Sequence, residues 1–310
     1  MKAASTSASV DNACDTAHPE WIAWELFLFL FLSRLVKQWN LSRIANIFIY
    51  GKEHIVNHSS RRYFEKRLRR KVGAAVHDYA MISRGDRVMA AVSGGKDSLV
   101  LLKVLLDLKK SAPVEYEVVP VHLSTGFEKD FDRISEWASS TLGVEIRVYE
   151  TGIAGILSRV SDPDKSPCAL CSRLRRGMLY RIAQDEGISS IALGHHLDDI
   201  VETFFLRSLY TGQIGAMAPA RVSNDGRNRV IRPMAYCTLE LVEAYFRFLE
   251  VEPVSYSCMI RPDGKRALVR ELLKTLEKDN PKVKNSIFAS LGNIDMKSLC
   301  LKGEPRAHSH

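Results

Sequence analysis

Short apolar runs alternate with longer stretches of helical periodicity from residue 85 onwards. Strands are predicted for the apolar runs at 87–92, 116–123, 145–150, 188–193 and 229–233. Apolar residues at helical spacing predict helices at 98–110, 128–142, 172–187, 198–210 and 239–250. Apolar strands that alternate with helices are typical of a parallel sheet with helices on both faces. The pattern therefore predicts an α/β fold with a doubly wound parallel sheet.

Two polar motifs follow directly on predicted strands. Residues 93–98 (SGGKDS) come after the first strand, and residues 194–199 (GHHLDD) come after the fourth. Ligands of open α/β sheets bind beyond the carboxyl ends of the strands. Both motifs are therefore expected to contribute to one site.

The motif at 93–98 has the composition of a phosphate-binding loop. Its two glycines allow a tight turn and a close approach of the backbone to a ligand, and the following helix offers unpaired N–H groups. The serine hydroxyls and a lysine add donors, and Asp97 suits Mg²⁺ or the loop geometry. The spacing differs from GxxxxGK[ST], so this is not a Walker A loop. A glycine turn capped by Ser or Asp is the alternative interpretation.

The acids of the second motif, Asp198 and Asp199, lie at a predicted helix start, where carboxylates cap N–H groups. Capping alone could explain them. Two histidines and two acids opposite a phosphate loop also suit a Mg²⁺–ATP site, which is the interpretation that we favour.

The six cysteines are too sparse for a disulfide scaffold, which indicates a reducing compartment. Cys168 and Cys171 form a C-x-x-C pair that suits a redox pair, half a zinc site or part of an iron–sulfur site. Two structural cysteines at helical spacing are the alternative. A cluster with three protein ligands needs one more thiolate, for which Cys258 and Cys237 are the candidates.

The chain carries a formal net charge of +8, and its basic residues are clustered. Seven basic side chains lie within 61–71, and two further clusters comprise Arg173, Arg175, Arg176 and Arg181, and Arg221, Arg227, Arg229 and Arg232. Any one cluster can be a solvated face. Three clusters, two of them beside candidate chemistry, favour RNA as a partner.

No function is predicted for the N-terminal residues 1–60. The apolar run at 21–36 has only eight uninterrupted residues between its charges, which is too short for a membrane span. We expect 1–60 to be an extension, 61–300 to be the functional domain and 301–310 to be a loose tail.

Together, SGGKDS, CALCSRLRRG (168–177) and GHHLDD resemble the tRNA 2-thiocytidine synthetase family of the PP-loop ATP pyrophosphatase superfamily. The resemblance covers about residues 61–293. It implies that ATP adenylates the C2 oxygen of cytidine 32 in the tRNA anticodon loop. Sulfur held on a [4Fe-4S] cluster with three cysteine ligands then replaces that oxygen.

The resemblance also implies roles for individual residues. ATP and Mg²⁺ would be bound by Ser93, Gly94, Gly95, Lys96, Asp97, Ser98, His122, Gly194, His195, Asp198 and Asp199. Cys168, Cys171 and Cys258 would hold the cluster, and Cys168, Cys171 and Asp97 would be catalytic. RNA would be bound by Arg67, Arg70, Arg173, Arg175 and Arg176. The implied partners are tRNA and a sulfur donor such as a cysteine desulfurase, in the cytoplasm; the oligomeric state stays open, a homodimer included.

Two positions depart from the family pattern. Ser124 stands where relatives often have an acid, and Ser255 aligns with the third cluster ligand, one C-x-x-C spacing before Cys258. We choose Cys258 as the ligand, with Cys237 as the second choice. The competing interpretations are another PP-loop enzyme that modifies tRNA or a small molecule and has a structural zinc site, and an RNA-binding scaffold with a vestigial ATP loop.

Overall fold

The computed structural model describes residues 41–160, 168–223, 226–257 and 264–300, with side chains from residue 59 onwards. Its compact units are 1–60 and 61–310. The strands are β1 (Arg87–Ala91), β2 (Glu117–Ser124), β3 (Glu128–Lys129), β4 (Arg147–Glu150), β5 (Ser190–Ala192), β6 (Ala220–Val222), β7 (Arg229–Ile231) and β8 (Ser255–Tyr256). The α-helices are α1 (Leu41–Asp78), α2 (Lys96–Lys109), α3 (Asp132–Trp137), α4 (Ile153–Val160), α5 (Cys168–Asp185), α6 (Leu197–Thr211), α7 (Leu239–Phe246), α8 (Gly264–Asp279) and α9 (Val283–Ser290).

Six strands form the main sheet in the order β4-β2-β1-β5-β7-β6. All neighbours pair in parallel except β6, which runs antiparallel to β7. The chain moves outward from β1 in one direction through β2 and β4, and then returns to the other side through β5 and β7. The predicted doubly wound sheet is therefore confirmed, and its strand order reverses between β1 and β5.

Helices cover both faces of this sheet. Successive side chains of a strand point to opposite faces, so apolar residues on both faces need cover. In β1, Val88 and Ala90 belong to the core beneath α2 and α7, whereas Met89 belongs to the core beneath α5. In β2, Val119 and Val121 also face α5. The apolar runs of the sequence are continuous because both sides of each central strand are buried.

The segment predicted as a helix at 128–142 is only partly helical. Glu128 and Lys129 pair with Tyr256 and Ser255 in a two-stranded antiparallel sheet, and Asp130 adopts a positive φ of 58° before α3 begins. A π-helix at Ala138–Leu142 continues α3. The short strand forms because the Glu128 carboxylate accepts hydrogen bonds from the turn that precedes it, at Thr125.

A third core joins α6 to the last two helices. Leu197 and Val201 of α6 pack with Val269 and Leu273 of α8. These helices lie beyond the last predicted element and extend the domain at its C-terminal side. No helix within the described parts of the chain has the length and apolar character that crossing a membrane requires.

Candidate active site at the carboxyl edge of the sheet

A cavity of about 930 Å³ opens at the carboxyl ends of β1, β5 and β7, on the face covered by α5. Ser93, Asp97 and Ser98 line it from the first motif, and His195 and Asp199 line it from the second. The point where strand order reverses leaves a crevice between two loops that diverge. Both motifs thus reach one cavity, as the sequence predicts.

The loop at 93–98 turns sharply and leads directly into α2. Gly94 has a φ of 85°, and Gly95 is the N-cap residue of the helix. The hydroxyl of Ser98 accepts a hydrogen bond from the Ser93 N–H (3.1 Å) and donates one to the Gly95 carbonyl oxygen (2.8 Å). The serine hydroxyls therefore fix the loop, and the positive end of the α2 dipole points to its concave side.

A strap formed by residues 254–256 holds this loop from outside. The Val254 N–H donates to the Gly94 carbonyl oxygen (2.9 Å), and the Tyr256 hydroxyl donates to the Ser93 carbonyl oxygen. A Cβ atom on Gly94 would lie 2.6 Å from Val254 Cγ2. The glycine is thus required both by its positive φ and by the close approach of the strap.

The second motif touches the first through its glycine. A Cβ atom on Gly194 would lie 3.0 Å from the carbonyl carbon of Asp97 and 3.1 Å from the Ser98 nitrogen. Only a residue without a side chain allows the two loops to meet this closely. The contact fixes the width of the cavity between β1 and β5.

Two side chains of the second motif face the cavity. Burial, together with the nearby Arg232 guanidinium, lowers the pKa of His195 to about 4, so the imidazole is neutral at physiological pH. Its Nδ1 atom is buried and has no hydrogen-bond partner among the described residues. Asp199 accepts a hydrogen bond from the His196 N–H (3.1 Å), which fixes the start of α6. The site thus offers a neutral imidazole beside a carboxylate.

The neighbouring acid, Asp198, does not reach the cavity, contrary to its predicted place at the ATP and Mg²⁺ side. Its side chain is 3% exposed, accepts a hydrogen bond from the Leu239 N–H (2.7 Å) and lies 2.7 Å from Lys284 Nζ. Successive residues at a helix start point about 100° apart, which separates it from Asp199. Asp198 therefore links α6 to α7 and α9.

Of the other predicted ATP contacts, Gly94, Gly95, Lys96 and His122 are not among the residues that line the cavity. His122 belongs to the opposite face of β2 from Val121 and Leu123, which line the cavity. It is buried against Phe131, with ring centroids 3.4 Å apart, and its Nδ1 lies 2.8 Å from the Val92 carbonyl oxygen. The predicted place of His122 near adenosine has no support from this geometry. Lys96 pairs with Asp97 (Nζ to Oδ1, 2.8 Å) at the loop.

The C-x-x-C pair lies in the first turn of α5, earlier than the predicted helix start at Ser172. Ser172 and Arg175 line the cavity, and the two cysteines lie one turn N-terminal to them at positions i−4. Cys168 is exposed and Cys171 is half-buried. The pair therefore lies at the rim of the cavity, on the helix that forms its wall.

The structure separates Cys237 from that pair. Cys237 is fully buried in the core beneath α2 and α7, on the other face of the sheet from α5. Burial raises the pKa of its thiol to about 12, which disfavours the thiolate. Cys237 is therefore a poor choice for the third ligand. Cys258 lies outside the described residues, and within these no three His, Cys, Asp or Glu side chains form a metal site.

The predicted RNA-binding arginines divide between two surfaces. Arg67 and Arg70 are exposed on α1, while Arg175 and Arg176 line the cavity and Arg173 is exposed beside them on α5. The sequence missed that Arg207, Arg221 and Arg232 also line the cavity. Their spacing in the chain gave no sign of this, because the hairpin of β6 and β7 brings Arg221 and Arg232 together.

Comparison with known proteins identifies the family of the chain. The model of a PP-loop domain family matches residues 64–276. A tRNA-cytidine(32) 2-sulfurtransferase from Actinobacillus pleuropneumoniae is 41% identical, over 76% of this chain and 74% of that protein. One from Haemophilus influenzae is 40% identical, over 76% of each chain. The solved U34-tRNA thiolase NcsA from Methanococcus maripaludis, with its [4Fe-4S] cluster, has the same fold, with a TM-score of 0.64 and 23% identity over 78% of this chain and 84% of that one. The resemblance predicted from the motifs is thus confirmed: the chain belongs to the tRNA-cytidine(32) 2-sulfurtransferase family and has a PP-loop domain as its core.

Proposed function

We propose that this protein is an ATP-dependent tRNA thiolase that replaces the C2 oxygen of cytidine 32 with sulfur. One observation carries the proposal. A single cavity is lined by the phosphate loop, by the loop of His195 and Asp199, and by the helix that begins with Cys168 and Cys171. An enzyme that activates a base with ATP and then delivers sulfur needs these groups around one space.

The phosphate loop would bind the pyrophosphate end of ATP. The α2 N-terminus and the backbone around Gly94 favour negative charge there. Asp97 and Asp199 line the cavity as carboxylates, the ligands that Mg²⁺ prefers when phosphate oxygens and water complete its shell. They would hold the metal, which would neutralise charge on the phosphates.

The placement of the loop supports adenylation in this cavity as the first step of the proposed reaction. The C2 oxygen of cytidine attacks the α-phosphorus, the bond to the β-phosphate oxygen breaks, and pyrophosphate leaves. A sulfur nucleophile then adds at C2, and AMP departs with the original oxygen. Neutral His195 beside the cavity would be available for a hydrogen bond to the substrate, because its buried Nδ1 has no partner among the described residues.

The residues at the rim fit a [4Fe-4S] cluster. Cys168 and Cys171 supply two thiols in the first turn of α5, which arginines follow. We assign the third ligand to Cys258, because Cys237 lies on the other face of the sheet. When bound, the cluster supplies the sulfur for C2. Because these cysteines would have to stay reduced and metallated, we propose a reducing compartment such as the cytoplasm.

The test is the formation of 2-thiocytidine in a tRNA transcript by anaerobically purified protein with ATP, Mg²⁺ and a sulfide source. Nucleosides are analysed by mass spectrometry, and iron and acid-labile sulfide are measured on the same sample. We expect thiolation of transcripts with cytidine 32 but not with uridine 32, and about four irons per chain.

The control uses two cysteines of different position. Cys168→Ala should lose iron and thiolation, whereas Cys237→Ala should keep both because Cys237 lies in the core. Thiolation by protein that contains no iron, or retention of iron in Cys168→Ala, would refute the cluster assignment. ATP-dependent modification of a different kind, with zinc instead of iron, would favour another PP-loop enzyme.

A further inference from the structure

The cavity carries more positive charge than its phosphate loop explains. Among the described residues, only two carboxylates line it, those of Asp97 and Asp199. Five arginines also line it, namely Arg175, Arg176, Arg207, Arg221 and Arg232. Arg207 is engaged in structure, since it donates to the side-chain oxygen of Gln213 (2.7 Å) and to the Ala216 carbonyl oxygen (3.4 Å). All five make the cavity electropositive.

Arg232 lies at the C-terminal end of the hairpin formed by β6 and β7. It follows β7 directly, and its Nη1 donates to the Ala218 carbonyl oxygen at 2.5 Å. Its Nε is buried without a hydrogen-bond partner, and within the described chain no carboxylate forms an ion pair with it. Burial lowers the pKa of this guanidinium, and the nearby Arg176 and Arg221 lower it further, while Tyr180 and Asp199 act in the opposite direction. His195, which also faces Arg232, is neutral.

A half-buried guanidinium without an ion pair is costly, and two neighbouring arginines add repulsion. When such a guanidinium lies at the edge of a ligand cavity, an anion that binds there stabilises it. Arg232 lies within, and Arg176 and Arg221 are exposed towards the mouth of the cavity. The three guanidinium groups thus extend from the exposed surface to the half-buried part of the cavity.

The strand that leads into Arg232 is not a neighbour of the strand that leads into the phosphate loop. Strand β7 is two strands away from β1, which is about 10 Å at the usual spacing of ~4.8 Å between strands. The cavity volume of about 930 Å³ lies near the upper end of the range of roughly 300–1,000 Å³ for small-molecule sites. There is room for ATP at one side and for a second nucleotide at the other.

We propose that Arg232, together with Arg176 and Arg221, forms a second anion subsite that binds a backbone phosphate of the RNA next to the target cytidine. This subsite rests on the proposed function and would bind the tRNA substrate of that reaction. A base that leaves its stack to enter a pocket brings its flanking phosphates with it. Contacts to phosphate then fix the position of the base without reading its sequence.

The experiment measures two affinities for Arg232→Gln. One ligand is an anticodon stem-loop RNA, and the other is an ATP analogue with a methylene group between the α and β phosphates. Glutamine keeps a donor for the Ala218 carbonyl oxygen but removes the charge. The control is Arg229→Gln, which removes a charge from the same strand where the guanidinium bonds to the Ala80 carbonyl oxygen, outside the cavity.

We expect Arg232→Gln to weaken RNA binding at least tenfold, with less than a twofold change for the ATP analogue, while Arg229→Gln changes neither by more than about twofold. In a second measurement on the unaltered protein, neutral methylphosphonates replace the RNA phosphates one at a time. Substitution at one or two positions beside the target cytidine should weaken RNA binding by a factor similar to that of Arg232→Gln. This result does not depend on the folding of a variant.

Each other outcome counts against the inference. Loss of affinity for the ATP analogue with unchanged RNA binding would assign the arginines to the phosphates of ATP. If every methylphosphonate weakened RNA binding equally, or if none weakened it, the proposed local phosphate contact would be contradicted. If the unaltered protein binds no RNA, the proposed function fails as well; if it binds RNA and Arg232→Gln binds equally well, only the subsite fails.

Discussion

Replacement of Gly194 by alanine tests whether the contact between the two loops determines the site. The added Cβ atom would lie 3.0–3.1 Å from three backbone atoms of Asp97 and Ser98. Ordinary contacts of a Cβ atom are at 3.4–4 Å, so the loops must separate by a few tenths of an ångström. Backbone at the start of α2 cannot move aside as a flexible side chain can.

The magnitude follows from overpacking. Forcing an extra methyl group into a tight contact costs about 1–3 kcal/mol. For a unit of this size each kcal/mol lowers the Tm by roughly 2–4 °C. We therefore expect Gly194→Ala to lower the Tm by about 2–12 °C. Affinity for the ATP analogue should fall by about tenfold, because the displaced atoms belong to the phosphate loop.

The assay is thermal unfolding together with calorimetric titration of the ATP analogue. Gly155→Ala is the matched control, since Gly155 lies in α4, has no positive φ, and would have no atom within 4 Å of an added Cβ. Alanine should be neutral or slightly stabilising there. A Gly194→Ala protein with unchanged Tm and unchanged affinity would refute the argument that this contact sets the geometry of the loop.

Three further predictions concern charged groups. Asp198→Asn should lower the free energy of unfolding by about 1.5–3 kcal/mol in chemical denaturation, because it removes a charge-assisted contact of Lys284 while the Glu277 carboxylate at 2.9 Å remains, yet the folded protein should keep its affinity for the ATP analogue. The pKa of His195 is about 4 in the folded protein and near 6.5 when unfolded, so the unfolded state binds the extra proton and stability should fall as pH drops from about 6.5 to 4. The difference of about 2.5 units corresponds to roughly 3 kcal/mol, and His195→Gln should remove this part of the pH dependence; an unchanged pH profile would contradict the assignment. For RNA binding, Arg67→Gln and Arg70→Gln should each reduce the slope of log affinity against log salt by about one, and a slope equal to that of the unaltered protein would exclude a phosphate contact at that residue.

The sequence determined the architecture and the place of the site. The apolar runs around Met89 and Ile191 are buried on both sides, and such runs separated by helices form parallel sheets. Motifs that follow parallel strands meet at one edge, so the pairing of 93–98 with 194–199 could be predicted without coordinates. The spacing of Val269 and Leu273 is also helical, so the chain past residue 250 carries a signal for α8 that the predicted elements did not include.

Only the tertiary structure decided which residue of each polar pair serves the cavity. Asp198 and Asp199 are neighbours of the same type, yet one pairs with Lys284 in the interior and the other faces the ligand space. The physical reason is that one step along a helix start turns a side chain by about 100°, and one step along a strand sends it to the other face. Sequence reports the residue type but not the direction.

The same limit applies to charge and to cysteine. Arg229 and Arg232 are three residues apart, but the first bonds to the turn after α1 and the second is half-buried at the cavity without an ion pair among the described residues. Cys237 was a reasonable ligand candidate by composition, and packing placed it on the wrong face of the sheet. Burial, which sets both the charge state and the partners of these groups, depends on contacts between segments far apart in the chain.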